Sequence, residues 1–327
     1  MSWVRAPMQA REMSRLMNLT AKLTPVQRAV LLLHLQIRDE GDRAAAVVQR
    51  RLSDKPVCPR CSATRVVRNG QADGLQRYKC RACSVTFNAL TGTPLARLRY
   101  RERWLAQCDA LEQGLSVRKA AAQLGVHRTT AFRWRHRFLL CPAKCKELGL
   151  RGVVEADETY VLESFKGQRQ ALSHAGRPGR RRGGKARKLG LSREQVPVLV
   201  LHTRTGQTAD FVLLAAPQKD AVKAVLACAV AADAVLCTDG SSLLASAAQA
   251  LDIEHQPVNL SKGQRVRGAW HVQNVNAYQS RLKQWLRRFN GVASSYLANY
   301  LGWFRALDRQ GSPAGESTWL LTLAVQV

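Results

Sequence analysis

The chain has 327 residues, 46% of them hydrophobic, and its 51 lysines and arginines against 23 aspartates and glutamates give a formal net charge of +28. This length and composition argue against a disordered basic tail and predict two or three folded units. The excess charge predicts a polyanionic partner such as nucleic acid, chiefly at residues 1–150, which hold 28 basic and 10 acidic side chains.

The apolar segments exclude a membrane-spanning protein. No apolar run reaches the ~18 residues of a membrane span, and residues 1–5 lack the apolar core of a signal peptide. We therefore expect a cytoplasmic, nucleoid-associated protein. In that reducing compartment the nine cysteines are expected to be metal ligands or buried thiols rather than disulfides.

Residues 1–55 are predicted to form an N-terminal helical segment. Thr24-Pro25 is a helix start signal. The apolar side chains that follow it at helical spacing are Val26, Val30, Leu33 and Ile37. The pattern predicts a packing helix over 25–52, to which no chemistry is assigned.

Two Cys-x-x-Cys pairs lie within residues 56–90. They are Cys58-Pro59-Arg60-Cys61 and Cys80-Arg81-Ala82-Cys83, separated by eighteen residues. Each pair can turn two sulfurs onto one tetrahedral ion, so the spacing favours a four-thiolate zinc ribbon over chance or a redox pair. Because all four ligands come from the protein, this Zn²⁺ is expected to be structural. The side chains between the pairs that are typical of a ribbon facing DNA are Arg65, Arg68, Arg77, Tyr78 and Lys79.

Residues 91–140 are predicted to be a helix-turn-helix DNA-binding region. After a helix near 100–113, residues 115–138 give a capped short helix, a glycine turn and a second helix. One face of the second helix carries Ala131, Trp134 and Phe138. The opposite face carries the predicted DNA-binding side chains Arg128, Thr129, Arg133, Arg135 and Arg137. A helical hairpin without a DNA-binding role is the alternative, which the adjacent ribbon disfavours.

A β-branched segment near the middle of the chain, residues 153–161, carries three acids in four positions. As a strand, its period of two places Glu155, Asp157 and Thr159 on one face and Glu158 on the other. Carboxylates in such a segment are costly unless a cation meets them, so the first face offers an acid to a metal ion or a base. A solvated edge strand is the alternative.

Residues 164–193 hold ten basic residues, six glycines and no acid. This composition cannot build a core and predicts a flexible basic loop. Its charge favours a contact along a DNA strand through Arg180, Arg181 and Arg182, and a solvated insertion is the alternative.

The remaining sequence predicts an α/β unit over 150–307 and a tail over 308–327. The predicted elements after the basic loop are strands 196–202 and 207–216, helix 217–231, strand 234–240, helix 241–250, strand 252–258, and helices 271–286 and 293–307. Asp239 ends a buried strand, where α/β sheets present chemistry. Asn276 and Lys283 are seven residues apart and nearly in line on one helix.

The order of these motifs resembles the zinc-ribbon DDE transposases of bacterial insertion sequences over about residues 56–307. The matching motifs are Cys58 through Cys83, Thr91-Gly92-Thr93-Pro94, Trp104, Glu155 through Tyr160, Thr238-Asp239-Gly240 and His271 through Lys283. The resemblance implies an α/β ribonuclease H-like core, in which a mixed sheet is flanked by helices.

The resemblance also implies the residues of a catalytic site. Asp157 and Asp239 would hold Mg²⁺ or Mn²⁺, with Asn276 at the third catalytic position and Lys283 as its basic partner. Paired metal ions in such sites neutralise the phosphodiester, activate the nucleophile and stabilise the leaving oxygen. Asn276 marks either an Asn-bearing subgroup or a decayed position, and Lys283 favours the former. Glu158 is expected to point away from the site.

The implied function is that of an insertion-sequence transposase. It would bind terminal inverted repeats and target DNA as a homo-oligomer, cleave a strand and join the freed 3′-hydroxyl to the target. A catalytically inactive DNA-binding regulator and a metal-dependent nuclease are the alternatives.

Overall fold

In the computed structural model, the chain divides into two compact units, residues 1–141 with 314–327 and residues 142–313. The residues described are 8–52, 56–175, 194–213, 218–258, 266–310 and 318–326, with single positions between these ranges. Arg180, Arg181 and Arg182 lie outside them, so the DNA contact of the basic loop stays a prediction. Within these ranges, no helix combines the length and the apolar character needed to cross a membrane.

The first unit begins with two helices, α1 (Ala10–Ala21) and α2 (Pro25–Gln49). Both lie in the predicted helical segment over 1–55, and the sequence predicts the start of α2 at Pro25 but no bounds for α1. Thr24 caps α2 through a reciprocal pair of hydrogen bonds, in which Thr24 N donates to Gln27 Oε1 at 2.9 Å and Gln27 N donates to Thr24 Oγ1 at 3.3 Å. Only the last two turns of α2 bury side chains, which are Ala44, Ala45, Val47 and Val48.

A small antiparallel sheet follows. Its strands are β1 (Val66–Ala72), β2 (Leu75–Cys80) and β3 (Thr86–Phe87), in the spatial order β1-β2-β3. Asp73 and Gly74 form the two-residue turn of the first hairpin, and their positive φ angles of 50° and 72° explain the Asp-Gly pair. Tyr78 and Phe87 pack beside the buried Cys58 and Cys80.

The predicted helix-turn-helix consists of α4 (Val117–Leu124) and α5 (Arg128–Lys144), preceded by α3 (Trp104–Glu112). Gly125 ends α4 with a φ of 59°, a conformation that glycine adopts without strain. The predicted core face of α5 is confirmed, since Ala131, Trp134 and Phe138 are buried. Helix α5 runs on to Lys144, past residue 140, where the predicted helix-turn-helix region ends.

The end of the chain is helix α11 (Thr318–Ala324), and the prediction of a tail over 308–327 is wrong for these residues. The helix belongs to the first unit, where it contacts α2 and α3. Leu320 and Leu321 are fully buried, and Trp319 Nε1 donates to Glu112 Oε1. The N-terminal unit is therefore completed by the last residues of the chain.

The second unit contains a five-stranded mixed sheet. The strands are β4 (Val153–Leu162), β5 (Gln195–Thr203), β6 (Thr208–Val212), β7 (Val235–Thr238) and β8 (Glu254–Pro257). Their order is β6-β5-β4-β7-β8, with antiparallel pairing from β6 to β4 and parallel pairing from β4 to β8. The acidic strand β4 is thus central, and the alternative of an edge strand is wrong.

In the described part of the second unit there are also five helices. They are α6 (Arg169–His174), α7 (Lys219–Ala229), α8 (Ser242–Gln249), α9 (Gln273–Arg287) and α10 (Leu297–Gln310). Val154 and Ala156 of β4 share an apolar core with α7 and α8, whereas the alternate side chains Glu155 and Asp157 meet α9. The mixed sheet with flanking helices is as predicted from the sequence.

Helix α10 is tied to the sheet by the buried Arg305. Its Nη1 pairs with Asp210 Oδ1, and its Nη2 donates to the carbonyl oxygens of Pro142 at 2.8 Å and Cys145 at 3.1 Å. Gly302 lies against the same segment, because a Cβ added to it would approach Pro142 and Ala143 to 2.5 Å. The small residue at Gly302 is what permits this close contact.

Candidate active site and zinc site

The two aspartates predicted to be catalytic meet because of the strand pairing between β4 and β7. The strands are parallel, and Ala156 lies opposite Thr238. Asp157 is the next residue after Ala156, and Asp239 is the next residue after Thr238. The two aspartates therefore lie at the same level along the two neighbouring strands. A turn follows Asp239 at once, with Gly240 at a φ of 93°, which places Asp239 at the carboxyl end of β7.

The electrostatics of Asp157 reflect this proximity. Burial, together with the negative charge of Asp239, raises the pKa of Asp157 to about 6, although a hydrogen bond from Gln279 and the charge of Lys283 act in the opposite direction. Two carboxylates that disfavour each other's ionised form are stabilised by a cation placed between them. The pair is therefore suited to holding a divalent metal ion.

Glu158 is electrostatically closer to the pair than predicted. It lies on the face of β4 opposite Asp157, by the alternation of the strand. Burial and the charges of Asp157 and Asp239 nevertheless raise the pKa of Glu158 to about 7. A third carboxyl group thus contributes to the negative potential at this edge of the sheet.

Helix α9 supplies the polar side chains above the aspartates. Gln279 Nε2 donates to Asp157 Oδ2 at 3.1 Å, and Gln279 is buried. Lys283, one turn further on, is exposed, and its charge lowers the pKa of Asp157. Asn276, one turn before Gln279, has an exposed side chain.

Gln279 contacts Asp157 but was not among the site residues predicted from the sequence. It lies three residues after Asn276 and four before Lys283, on the same face of the helix, so helical spacing was a signal that could have found it. The catalytic roles of Asn276 and Lys283 stay predictions.

The four cysteines of the ribbon converge on one point. Their sulfur atoms all lie within 4.8 Å of one another, with Cys58 Sγ 3.6 Å from Cys83 Sγ and Cys61 Sγ 3.7 Å from Cys80 Sγ. Four thiolates around Zn²⁺ at ~2.3 Å require sulfur separations of ~3.8 Å in a regular tetrahedron. The geometry therefore fits the predicted structural zinc site.

The five predicted DNA-binding side chains of α5 do not share one exposed face. Arg128, Thr129 and Arg133 are exposed. The prediction is wrong for Arg135, which is 2% exposed and donates from Nη2 to Leu115 O at 2.5 Å. Arg137 is half-buried and donates to two carbonyl oxygens of the segment before α3, which are Pro94 O and, at 2.9 Å, Ala96 O. Its DNA contact stays a prediction.

Three family models match the chain. Residues 56–84 match an InsA N-terminal domain, a zinc ribbon, and residues 96–144 match a homeodomain-like helix-turn-helix domain. Residues 149–305, which contain both aspartates and helix α9, match an ISXO2-like transposase domain. The three matches follow one another along residues 56–305 in the order zinc ribbon, helix-turn-helix and transposase domain.

A relative points to the same kind of genetic element. An uncharacterized protein in transposable element ISH50 of Halobacterium salinarum is 29% identical over 270 residues, which cover 81% of this chain and 90% of the relative. The resemblance to zinc-ribbon DDE transposases is thus confirmed, and the mixed sheet with flanking helices is consistent with the core of a DDE transposase.

Proposed function

We propose that this chain is an active insertion-sequence transposase, which cleaves the strands at its element's ends and transfers them to target DNA. The observation that carries this proposal is the convergence of Asp157 and Asp239 at neighbouring parallel strands within the transposase domain. Two partly buried carboxylates side by side are the ligand set that metal-dependent phosphodiester chemistry requires, and the raised pKa of Asp157 reflects their proximity.

In this proposal each side chain has a separate task. Asp157 and Asp239 bind Mg²⁺ or Mn²⁺, and Gln279 fixes the orientation of Asp157 through its Oδ2 atom. Lys283 offers a cation to a phosphate of the bound strand, and Asn276 occupies the third position. When bound, the metal supplies Lewis-acid activation of the phosphodiester and of the attacking hydroxyl. Two carboxylates suffice for Mg²⁺, which retains water ligands and binds substrate phosphates.

The proposal is tested with a labelled duplex that contains the element's terminal repeat and flanking DNA. The full-length protein is expected to nick this duplex in Mg²⁺ or Mn²⁺ and to join the freed 3′ end to a second duplex. Asp157→Asn and Asp239→Asn are each expected to lower the nicking rate by at least ~10³-fold, because one of two metal ligands loses its charge. Binding of the duplex in a gel shift is expected to persist.

Asp233→Asn is the matched control. Asp233 is an exposed acid two residues before β7 and pairs at the surface with Arg151 at 2.8 Å. This variant is expected to nick at the rate of the natural chain. Undiminished nicking by either active-site variant would refute the assignment, and nicking of any duplex without end preference or joining would point to a nuclease.

A DNA-binding regulator derived from a transposase is the second candidate. The observation in its favour is Asn276, whose exposed amide brings no charge to the third position. Such a protein would bind the terminal repeat without cutting it, even in Mn²⁺. The raised pKa of Asp157 and the nearby charge of Lys283 favour the active enzyme.

DNA binding is assigned to the zinc ribbon and to the exposed start of α5. Arg128, Thr129 and Arg133 carry the donors that read phosphates and base edges. The charge of +28 supplies the non-specific part of the affinity. The terminal inverted repeats and the target DNA are the proposed partners.

A homo-oligomer on DNA is supported by the N-terminal helices. The first half of α2 exposes a row of apolar side chains at alternating spacings of four and three residues, which is the spacing of a coiled-coil seam. The row consists of Val26, 73% exposed, Val30, 62%, Leu33, 57%, and Ile37, 40%. The flanking side chains Gln27, His34 and Gln36 add no fixed charge that would repel a second copy. We assign this row to self-association.

A further inference from the structure

A fully buried carboxylate lies two residues before Asp157 on the same face of β4. Glu155 has no exposed surface. Its Oε2 accepts a hydrogen bond from Val275 N at 2.9 Å, and its Oε1 accepts one from Asn274 Nδ2 at 2.9 Å. Val275 belongs to the first turn of α9, whose backbone N–H groups have no partner within the helix. The N-terminus of α9 is therefore capped by a side chain of strand β4 and not by the residue that precedes the helix.

A cation also lies beside Glu155. Arg204 Nη1 lies 3.2 Å from Glu155 Oε1, and Arg204 also donates to Ala269 O at 3.2 Å and to His271 O at 3.3 Å. The positive end of the helix dipole adds to this field. An acceptor-only carboxylate suits this position, because two N–H groups of α9 and the Arg204 guanidinium lie against its two oxygens.

The spacing of the contacts that Glu155 and Asp157 make with α9 is the spacing expected when a helix runs along a strand. Two residues of a strand advance by ~6.6 Å, and four residues of an α-helix advance by 6.0 Å, at about 1.5 Å per residue. Glu155 contacts Val275, and two residues later Asp157 contacts Gln279, four residues further along α9. One more step along α9 reaches Lys283. Glu155 thus sets the register in which α9 presents its polar face to Asp157.

A second anchor holds α9 to the far side of the sheet. Tyr278 Oη donates to Asp210 Oδ2 of β6 at 3.2 Å, and the same carboxylate pairs with Arg305. This contact secures the middle of the helix but not its first turn. The start of α9, which precedes Asn276, is fixed to β4 by Glu155.

We propose that Glu155 is a positioning residue for strand cleavage: its carboxylate fixes the first turn of α9 on β4, so that Gln279 holds Asp157 and Lys283 is presented to the phosphate. The inference rests on the proposed function for its catalytic consequence. The structural part is independent of it, since the hydrogen bonds to Asn274 and Val275 stand whatever reaction the site performs.

The first test replaces Glu155 by Gln in the full-length protein. Glutamine keeps the volume and one acceptor, but it points an N–H₂ group at donors. Hydrogen exchange of the amides in 273–279 is expected to accelerate by about 10- to 100-fold, as for loss of hydrogen bonds to a charged group. In the same variant kcat for nicking is expected to fall at least ~10-fold while KM for DNA changes less than threefold, because the zinc ribbon and the exposed start of α5, to which DNA binding is assigned, are intact.

The matched control is Glu254→Gln, the same substitution at an exposed acid of β8 in the same sheet. It is expected to leave exchange in α9 and kcat unchanged. A double variant, Glu155→Gln with Arg204→Met, removes the donor that opposes the new amide. Amide exchange in α9 is expected to be slower in this double variant than in Glu155→Gln alone. Such a favourable coupling between the two substitutions would not arise from a general loss of packing.

Asn274→Ala covers the case in which Glu155→Gln does not fold. It removes one of the two donors from α9 while the charge of Glu155 stays paired with Arg204. Exchange in 273–279 is expected to rise about threefold to tenfold, as for loss of one hydrogen bond. Unchanged exchange in this variant, or exchange in Glu155→Gln equal to that of Glu254→Gln, would overturn the proposal.

The outcome is separable from failure of the proposed function. Faster exchange together with an unchanged kcat would show a purely structural cap and would overturn the positioning role. If the natural chain does not nick DNA in Mg²⁺ or Mn²⁺, the proposed function fails. The role of Glu155 is then tested by two measurements on the natural chain and on Glu155→Gln. These are hydrogen exchange of the amides in 273–279 and the affinity for Mn²⁺, determined by calorimetry. Weaker Mn²⁺ binding with faster exchange supports the role, and an unchanged affinity removes it.

Discussion

Ala156 of β4 lies directly opposite Thr238 of β7, and this backbone pairing brings together two aspartates that are eighty-two residues apart in the chain. The pairing is parallel, so the residue that follows each of them lies at the same level of the two strands, inside β4 for Asp157 and just past the end of β7 for Asp239. The proximity has a consequence in the absence of metal, because burial and mutual repulsion raise the pKa of Asp157 to about 6 and that of Glu158 to about 7.

The raised pKa values predict a pH-dependent stability. In the unfolded chain these carboxyls ionise near their ordinary values of 3.8 and 4.5. Between about pH 4 and pH 7 these two carboxyls therefore hold more protons in the folded protein than in the unfolded chain, so their contribution to stability falls as the pH rises through this window. Burial acts in the opposite direction on His136, whose pKa it lowers to about 4. Asp157→Asn is expected to flatten part of this decline. Thermal unfolding from pH 4 to 8, without added Mg²⁺ or Mn²⁺, measures it, and parallel curves for both proteins would contradict the prediction.

The ribbon predicts a metal requirement for DNA binding. Cys80→Ser removes one of four thiolates, so zinc content is expected to fall from about one ion per chain to near zero and the ribbon to lose its order. Elemental analysis and a gel shift with the terminal-repeat duplex check this. Cys145→Ser, at an exposed cysteine outside the cluster, is the control and is expected to change neither. Full zinc occupancy in Cys80→Ser would contradict the assignment.

Two arginines of α5, two residues apart, are predicted to have different roles, one in DNA binding and one in stability. Arg133 is exposed, so Arg133→Ala is expected to weaken DNA binding by about 5- to 100-fold and to leave stability unchanged. Arg135 is buried and bonded to Leu115 O, so Arg135→Ala is expected to cost about 1–3 kcal/mol of unfolding free energy. Fluorescence anisotropy and urea unfolding separate the two effects. Equal effects of both variants on DNA affinity alone would refute the distinction.

The C-terminal helix is predicted to be required by the N-terminal unit. Leu321 is fully buried in that unit, and Leu321→Ala is expected to cost about 2–5 kcal/mol. Limited proteolysis, followed by mass spectrometry, is expected to cut within residues 8–141 before it cuts the catalytic unit. Thr322→Ser, at the adjacent exposed position, is the control and should keep the natural cleavage pattern. Preferential cleavage of 142–313 in Leu321→Ala would contradict the prediction.

The apolar row on α2 predicts the oligomeric state. Val30→Glu with Leu33→Glu places charges in the proposed seam, and both positions are exposed, so folding of the single chain is expected to persist. The mass in solution, measured by light scattering with and without the terminal-repeat duplex, is expected to drop to that of one chain. Arg28→Glu changes charge on α2 outside the row and is expected to leave the mass unchanged. A monomeric natural chain in both conditions would refute the assignment.

Several features of this protein follow from its sequence alone. The two Cys-x-x-Cys pairs are local, because each pair orients two sulfurs within one turn, and their spacing was sufficient to predict the zinc site. Gly125 and the spacing of Ala131, Trp134 and Phe138 likewise predict the helix-turn-helix, since helical periodicity and turn chemistry act over a few residues.

Other features depend on contacts between distant segments, and only the tertiary structure decided them. Periodicity placed Arg135 on an outer face, but the packing of α5 buries it against Leu115. The apolar residues of 318–324 carry no local sign that they complete the N-terminal unit. Glu155, Asp157 and Gln279 are linked across more than one hundred residues by the seating of α9 on β4. The sequence identified the two aspartates, and the tertiary structure supplied the side chains that hold them, because burial and long-range hydrogen bonds exist only once the chain has folded.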